Sequence, residues 1–208
     1  MQIEYLDITG AGSGVGVGEG ASVTIRNNNI HDNDDDGVGV YYNAFALLES
    51  NMITSNGQLE DEEAGIQVYQ GGIVRSSGNN VADNGYAAVE AGSVAYFRSF
   101  GGDILVQKGC AEGDGSACSD PGTVAVDCYR GGACDFRDTH VTGEIYISGL
   151  SNFDARNSTL NGNIYGGSGS HLNLRDSVTG SGFISCFNEA FSSNFIACNS
   201  FIPPSPAP

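Results

Sequence analysis

The chain has 208 residues, a formal charge of −17 from 25 acidic and eight basic side chains, 31 glycines and no tryptophan. A surface that tracks phosphates needs a basic face, so this balance excludes nucleic acid as a partner and disfavours anionic membranes. Membrane insertion is not expected, because no apolar run is long enough to span a bilayer. No signal peptide is visible, and Met1 is read as standing where a leader was removed.

Taken in order, residues 2–8 read as strand that enters partway round a coil, and a template of nineteen residues then recurs seven times. Its anchor position holds Val17, Val40, Val68, Ala91, Cys128, Ile147 and Gly166, with Val15, Val38, Ile66, Val89, Val126, Ile145 and Ile164 two residues earlier. Period-two alternation places Val23 and Ile25, Ala46 and Leu48, Cys134 and Phe136, Phe153 and Ala155, and Leu172 and Leu174 inward on a second strand. A polar column follows eleven residues after the anchor: Asn28, Asn51, Asn79, Gly102, Thr139, Ser158 and Ser177. Thirteen after it stand Ile30, Ile53, Val81, Ile104, Val141, Leu160 and Thr179. Each copy thus supplies about three short strands, and copies stack so that each covers its neighbour's apolar face.

The runs Asn28-Asn29-Ile30-His31-Asp32-Asn33, Asn51-Met52-Ile53-Thr54-Ser55-Asn56 and Asn79-Asn80-Val81-Ala82-Asp83-Asn84 are each followed by Gly or Ala and an apolar-x-apolar strand. Over about residues 14 to 185 the pattern resembles the right-handed parallel β-helix repeats of the pectate-lyase-like superfamily. The resemblance implies an all-β, single-stranded solenoid of seven to eight coils. It implies no particular activity, because that superfamily holds lyases, hydrolases, epimerases, tailspikes and adhesins. Stacked Asn amides can hydrogen-bond along the rod while satisfying turn backbone, a structural role.

Six cysteines fall in local pairs, read as the disulfides Cys110–Cys118, Cys128–Cys134 and Cys186–Cys198. They point to export, at the cell surface or beyond it. The second pair lies on inward columns and would staple one coil's interior. Residues 1–185 form the solenoid, 186–202 a cap closed by the third disulfide, and 203–208 a Pro-rich tail or linker. The open N-terminal end exposes strand edges, which invites self-association there.

Six of the eight basic residues lie on the outward side of the second strand, and they are read as ion pairs between coils rather than as a glycan strip. The expected partners are Arg26 with Glu49, Arg98 with Asp135, and Asp154 with Arg137 and Arg156.

Length differences between copies gather at one corner, where insertions raise loops beside the anchor strand. These loops carry Asp34-Asp35-Asp36, Glu60-Asp61-Glu62-Glu63, Glu112, Asp114 and Asp120. The strand beside them presents Gln67, Tyr69, Glu90, Asp127, Tyr146 and Tyr165 outward, with Tyr41 nearby. Aromatic faces among acids suit sugar rings, so a glycan is the expected partner. Asp32, Asp34, Asp35 and Asp36 are the candidate ligands for Ca²⁺, weighed against a solvated acidic fringe, which is preferred. Glu90 and Asp127 are the candidate catalytic pair for a glycosidase, since they share one outward column in successive coils. A binding, adhesive or structural module is preferred over a polysaccharide-degrading enzyme or a fibre element.

Overall fold

The computed structural model describes residues 1–58, 63–112, 118, 123–167, 169–179 and 184–186, of which 178–179 and 184–186 only as backbone. All structural statements below concern these residues. Three eight-stranded sheets, parallel throughout, run the length of the rod. The first sheet is built from Gln2–Glu4, Ser22–Arg26, Phe45–Glu49, Ile73–Ser77, Tyr96–Ser99, Ala133–Arg137, Asn152–Arg156 and His171–Arg175. The second stacks short strands from Asp7–Ile8 and Asn29–His31 to Val178–Thr179, and the third stacks Val15–Val17, Val38–Val40, Ala64–Val68, Ala87–Ala91, Val124–Cys128, Ile145–Ile147, Ile164–Gly166 and Ile184–Cys186. The path visits the three sheets in turn and advances one strand per circuit. The result is a parallel β-helix with no helical element among the described residues.

Register follows the sequence template closely. The anchors Val17, Val40, Val68, Ala91, Cys128, Ile147 and Gly166 are successive Cα partners. Between the sheets lies one continuous core, in which the rings of Phe97, Phe136 and Phe153 stack through successive coils with centroids 5.6 and 5.1 Å apart. The Cys128–Cys134 disulfide lies inside this core, with both residues buried and their Cα atoms 6.5 Å apart. Cys110 pairs with Cys118 in the longest insertion. The third expected pair, the cap and the tail lie outside the described residues.

In the fourth copy the register corrects the template. Val81 pairs with Leu105, not Ile104, and Asn79 passes its hydrogen bonds to Asp103, not Gly102. One extra residue sits in the Gly101-Gly102 turn, so not every length difference falls at the corner. Both glycines there have positive φ (130° and 74°), which is how the turn takes up that residue.

The Asn ladder is continuous: the Nδ2 of Asn28, Asn51 and Asn79 donate to Oδ1 of Asn51, Asn79 and Asp103 at 3.1, 2.8 and 3.1 Å. A second ladder joins Asn33, Asn56 and Asn84 at 2.8 and 3.0 Å. It explains the glycines that stand before Val38 and Ile66 on the third sheet. A Cβ on Gly37 or Gly65 would run into the amide of Asn56 or Asn84.

The first sheet's outer face is an ion-pair array, with two partners corrected. Arg98 meets Asp135 across coils (3.0 Å), as expected, and Arg156 meets its expected partner Asp154 (3.1 Å) but within its own strand. Arg26 instead binds Glu4 (2.6 Å), because Gln2–Glu4 adds a strand ahead of the first full coil. Arg137 folds onto Asp135 of its own strand (3.4 Å), while Asp154 also receives Arg175 (3.8 Å).

Candidate functional site

Alternation along the third sheet buries the anchors and leaves one row facing out: Gly16, Gly39, Gln67, Glu90, Asp127, Tyr146 and Tyr165. One residue beyond each anchor a second row begins, holding Tyr41, Tyr69 and Tyr129. Described residues of the adjoining corner, Asp36, Glu63 and Tyr86, flank these rows. Together they enclose a pocket of about 620 Å³ lined by Glu63, Gln67, Tyr69, Tyr86, Glu90, Asp127, Tyr129 and Arg130. A second hollow of about 490 Å³, towards the N-terminal coils, shares Glu63, Gln67 and Tyr69 with the first and adds Tyr41, Asp35 and Asp36. The shared lining makes the two one groove along the rod.

At its centre Glu90 and Asp127 are direct register partners on neighbouring strands. Adjacent strands lie about 4.8 Å apart, so the two carboxyls share one site. Burial raises both carboxyls above the ordinary range. Gln67 Nε2 donates to Glu90 (2.9 Å), and the Tyr129 phenol also bonds it; both oppose the rise, whereas the charge of Asp127 adds to it. The Tyr86 phenol donates to Asp127 at 2.8 Å. Burial and the neighbouring carboxylates push both phenols up, so they remain donors at any ordinary pH. The Tyr129 ring reaches its position across Gly92, where a Cβ would collide with it; Gly39 gives Tyr41 the same clearance. Arg130 lies over the Tyr129 ring, 5.6 Å from its centroid, and brings a cation into an otherwise acidic pocket.

Asp36 closes the N-terminal part of the groove. Its carboxyl is buried, accepts from the Ala64 N–H (2.9 Å) and the Tyr41 phenol (2.8 Å), and is raised to about 7 by burial against those two bonds. Past Asp127 the outward row continues as Tyr146 and Tyr165, stacked with centroids 4.7 Å apart. Both phenols donate to Glu144, at 3.2 and 3.1 Å, and Tyr146 is pushed up to about 12 by burial and by that carboxylate.

Of the residues expected from sequence, Tyr41, Gln67, Tyr69, Glu90 and Asp127 line the groove, while Tyr146 and Tyr165 form a platform beyond it. The four aspartates weighed for Ca²⁺ are not brought to one point. Asp32 is held by the His31 ring (2.6 Å), Asp36 is buried beneath Tyr41, and Asp34 and Asp35 lie exposed. Among the described residues no three His, Cys, Asp or Glu side chains gather as a metal ion requires. Glu60, Asp61, Glu62, Asp114 and Asp120 lie outside the described residues.

Sequence reasoning missed Tyr86, Tyr129 and Glu144 as site residues. Tyr129 had a signal, since it stands in the same column as Tyr41 and Tyr69. Tyr86 lies at the end of an insertion of variable length, where no column exists to find it.

The family described as the right handed beta helix region matches residues 1–100. The same three sheets and the same register continue beyond that match to Ile184–Cys186. The chain is a right-handed parallel β-helix repeat protein. No curated protein and no solved structure matches it. The two disulfides among the described residues fit folding in an oxidising, non-cytosolic compartment, and no helix among those residues is long and apolar enough to cross a membrane.

Proposed function

We propose that this β-helix is an extracellular or cell-surface carbohydrate-binding module whose glycan lies along the third-sheet groove. The observation that carries the reading is the continuity of that groove, in which Tyr41, Tyr69, Tyr86 and Tyr129 alternate with Asp36, Glu63, Glu90 and Asp127. Tyrosine faces stack on the C–H faces of sugars, and carboxylates and phenols exchange hydrogen bonds with hydroxyls. The stacked Tyr146–Tyr165 pair extends the same surface for a longer chain. Retention on a panel of immobilised polysaccharides tests the reading. Tyr146→Ala and Tyr165→Ala should weaken retention about tenfold or less each, as loss of an edge platform does. Retention that is absent for every polysaccharide, or untouched by groove substitutions, sinks it.

A second reading, hydrolysis of the bound glycan, is favoured by one observation: Glu90 and Asp127 are paired in register and both raised by burial. Their strand spacing suits a retaining pair, whose carboxyls lie about 5 to 5.5 Å apart. Glu90, the less exposed of the two, is the proton donor in this reading, and Asp127 is the nucleophile. Its measure is release of reducing ends, which Glu90→Gln and Asp127→Asn must each reduce at least a hundredfold. Turnover that survives both substitutions rejects the pair.

A further inference from the structure

The outer face of the first sheet carries a patch that plays no part in the groove. Six arginines share this face with four carboxylates, Glu4, Glu49, Asp135 and Asp154, and most are paired as described. Arg75 is the exception. It makes no hydrogen bond or ion pair with a described residue, and its guanidinium lies between the rings of Phe45 and Phe100, 5.9 and 5.7 Å from their centroids. One coil away Glu49, whose expected partner Arg26 is taken by Glu4, has no cation within ion-pairing distance among the described residues. Apolar groups surround the two: Ile73 and Phe100 are 40% and 42% exposed, with Leu47 and Tyr96 partly so.

A second observation borders the same patch. Val94, two residues before Tyr96, is 73% exposed at φ 59°. A β-branched side chain is strained in that left-handed region. Successive coils place Asn43, Gly71, Val94 and Gly131 at this turn, and asparagine and glycine tolerate the conformation readily. Two coils further on Leu150 stands in the same column, also 73% exposed and at φ 67°, while Val94 is the one that lies beside the exposed aromatic and aliphatic groups of this part of the sheet.

We propose that this patch is the interface of a two-fold dimer of the chain, in which Arg75 of each copy meets the partner's Glu49 across packed Phe45, Ile73 and Phe100. A two-fold contact must be self-complementary, and the patch holds a cation and, two residues along on the neighbouring strand, a carboxylate, neither in an ion pair with a described residue. Arginine and aromatic residues are the groups enriched at interface centres. Charge selects the face as well. Two copies each carrying −17 repel one another over most orientations, and they do so least where arginines outnumber carboxylates. Desolvating Arg75 between two rings strengthens its attraction to the partner's Glu49.

Sedimentation velocity of the 208-residue chain over a dilution series is the test. The expected result is a dimer that dissociates on dilution. Glu49→Arg alone and Arg75→Glu alone should each be monomeric, while an equimolar mixture of the two should form a heterodimer, since both cross-pairs then carry opposite charges. Arg75→Gln and Glu49→Gln guard against misfolding, and each should raise the dimer Kd tenfold or more with the melting temperature unchanged. A wild-type chain that stays monomeric up to about 1 mM overturns the proposal. So do dimers indifferent to these substitutions, which would place the contact on another surface, and open-ended polymers, which a closed two-fold contact forbids.

Discussion

The early and late coils solve one problem, the turn between the first and second sheets, in two ways. In the first three coils an asparagine amide does it. Asn51 accepts from the backbone and side chain of Asn28, donates to Asn79 (2.8 Å), and donates back to the Ile25 carbonyl (2.9 Å), so one buried side chain ties neighbouring coils together on both sides. In the late coils a hydroxyl takes the position. Ser158 accepts the Thr139 N–H (3.3 Å) and returns its own proton to Arg156 O within its own turn (3.0 Å). The hydroxyl links its coil to one neighbour and closes its own turn, whereas the amide bonds to the coils on both sides. The amide coils carry short to moderate corner insertions and the hydroxyl coils keep the bare nineteen residues, while the longest insertion follows the coil in which Asp103 takes the position.

Substitutions can break that contrast. Asn51→Ala leaves several buried backbone and amide groups without partners and should cost about 3 kcal/mol in urea unfolding, against about 1 kcal/mol for Ser158→Ala. Equal costs would erase the distinction between ladder and turn. A somewhat smaller effect is expected from pH. The Asp36 carboxyl, raised to about 7 by burial, keeps its proton in the native state where the unfolded chain has already lost it. Stability should therefore fall as pH rises from about 4 to about 7 and level off above, by up to a few kcal/mol. Raised Glu90, Asp103 and Asp127 act in the same sense, and so does His31, lifted by Asp32 and Asp7. Asp36→Asn should flatten this slope in a series of melts from pH 4 to 8; an unchanged slope would move its origin to the other carboxyls. Smallest of all, Arg156→Ala on the late part of the arginine face should leave the urea midpoint nearly unchanged, as loss of an exposed, solvent-screened ion pair does.

How far the sequence could be read follows from what repeats. Anchor columns and inward pairs recur in every coil or nearly so, the Asn ladder in the first three, and their register needed a correction only where Gly101-Gly102 hides one extra residue. Column logic also put Glu90 beside Asp127 correctly. It failed where structure depends on a single copy. The pairing of Arg26 with Glu4 comes from a strand that precedes the first full coil, and Tyr86 reaches Asp127 from a loop with no counterpart. Asp36 looked like one more solvated acid of an Asp-rich run, and only its burial under Tyr41 separates it from Asp34 and Asp35. Charge runs reveal composition, while burial depends on the loop's own path.

The central claim is that the third sheet, not the arginine face, meets the glycan. Affinity electrophoresis through gels containing the best-retained polysaccharide tests it most directly. The double substitution Tyr69→Ala with Tyr129→Ala should abolish retardation with the fold intact by circular dichroism, while Arg156→Ala with Arg175→Ala should leave it unchanged. Retardation lost with the arginines and kept without the tyrosines would contradict the account.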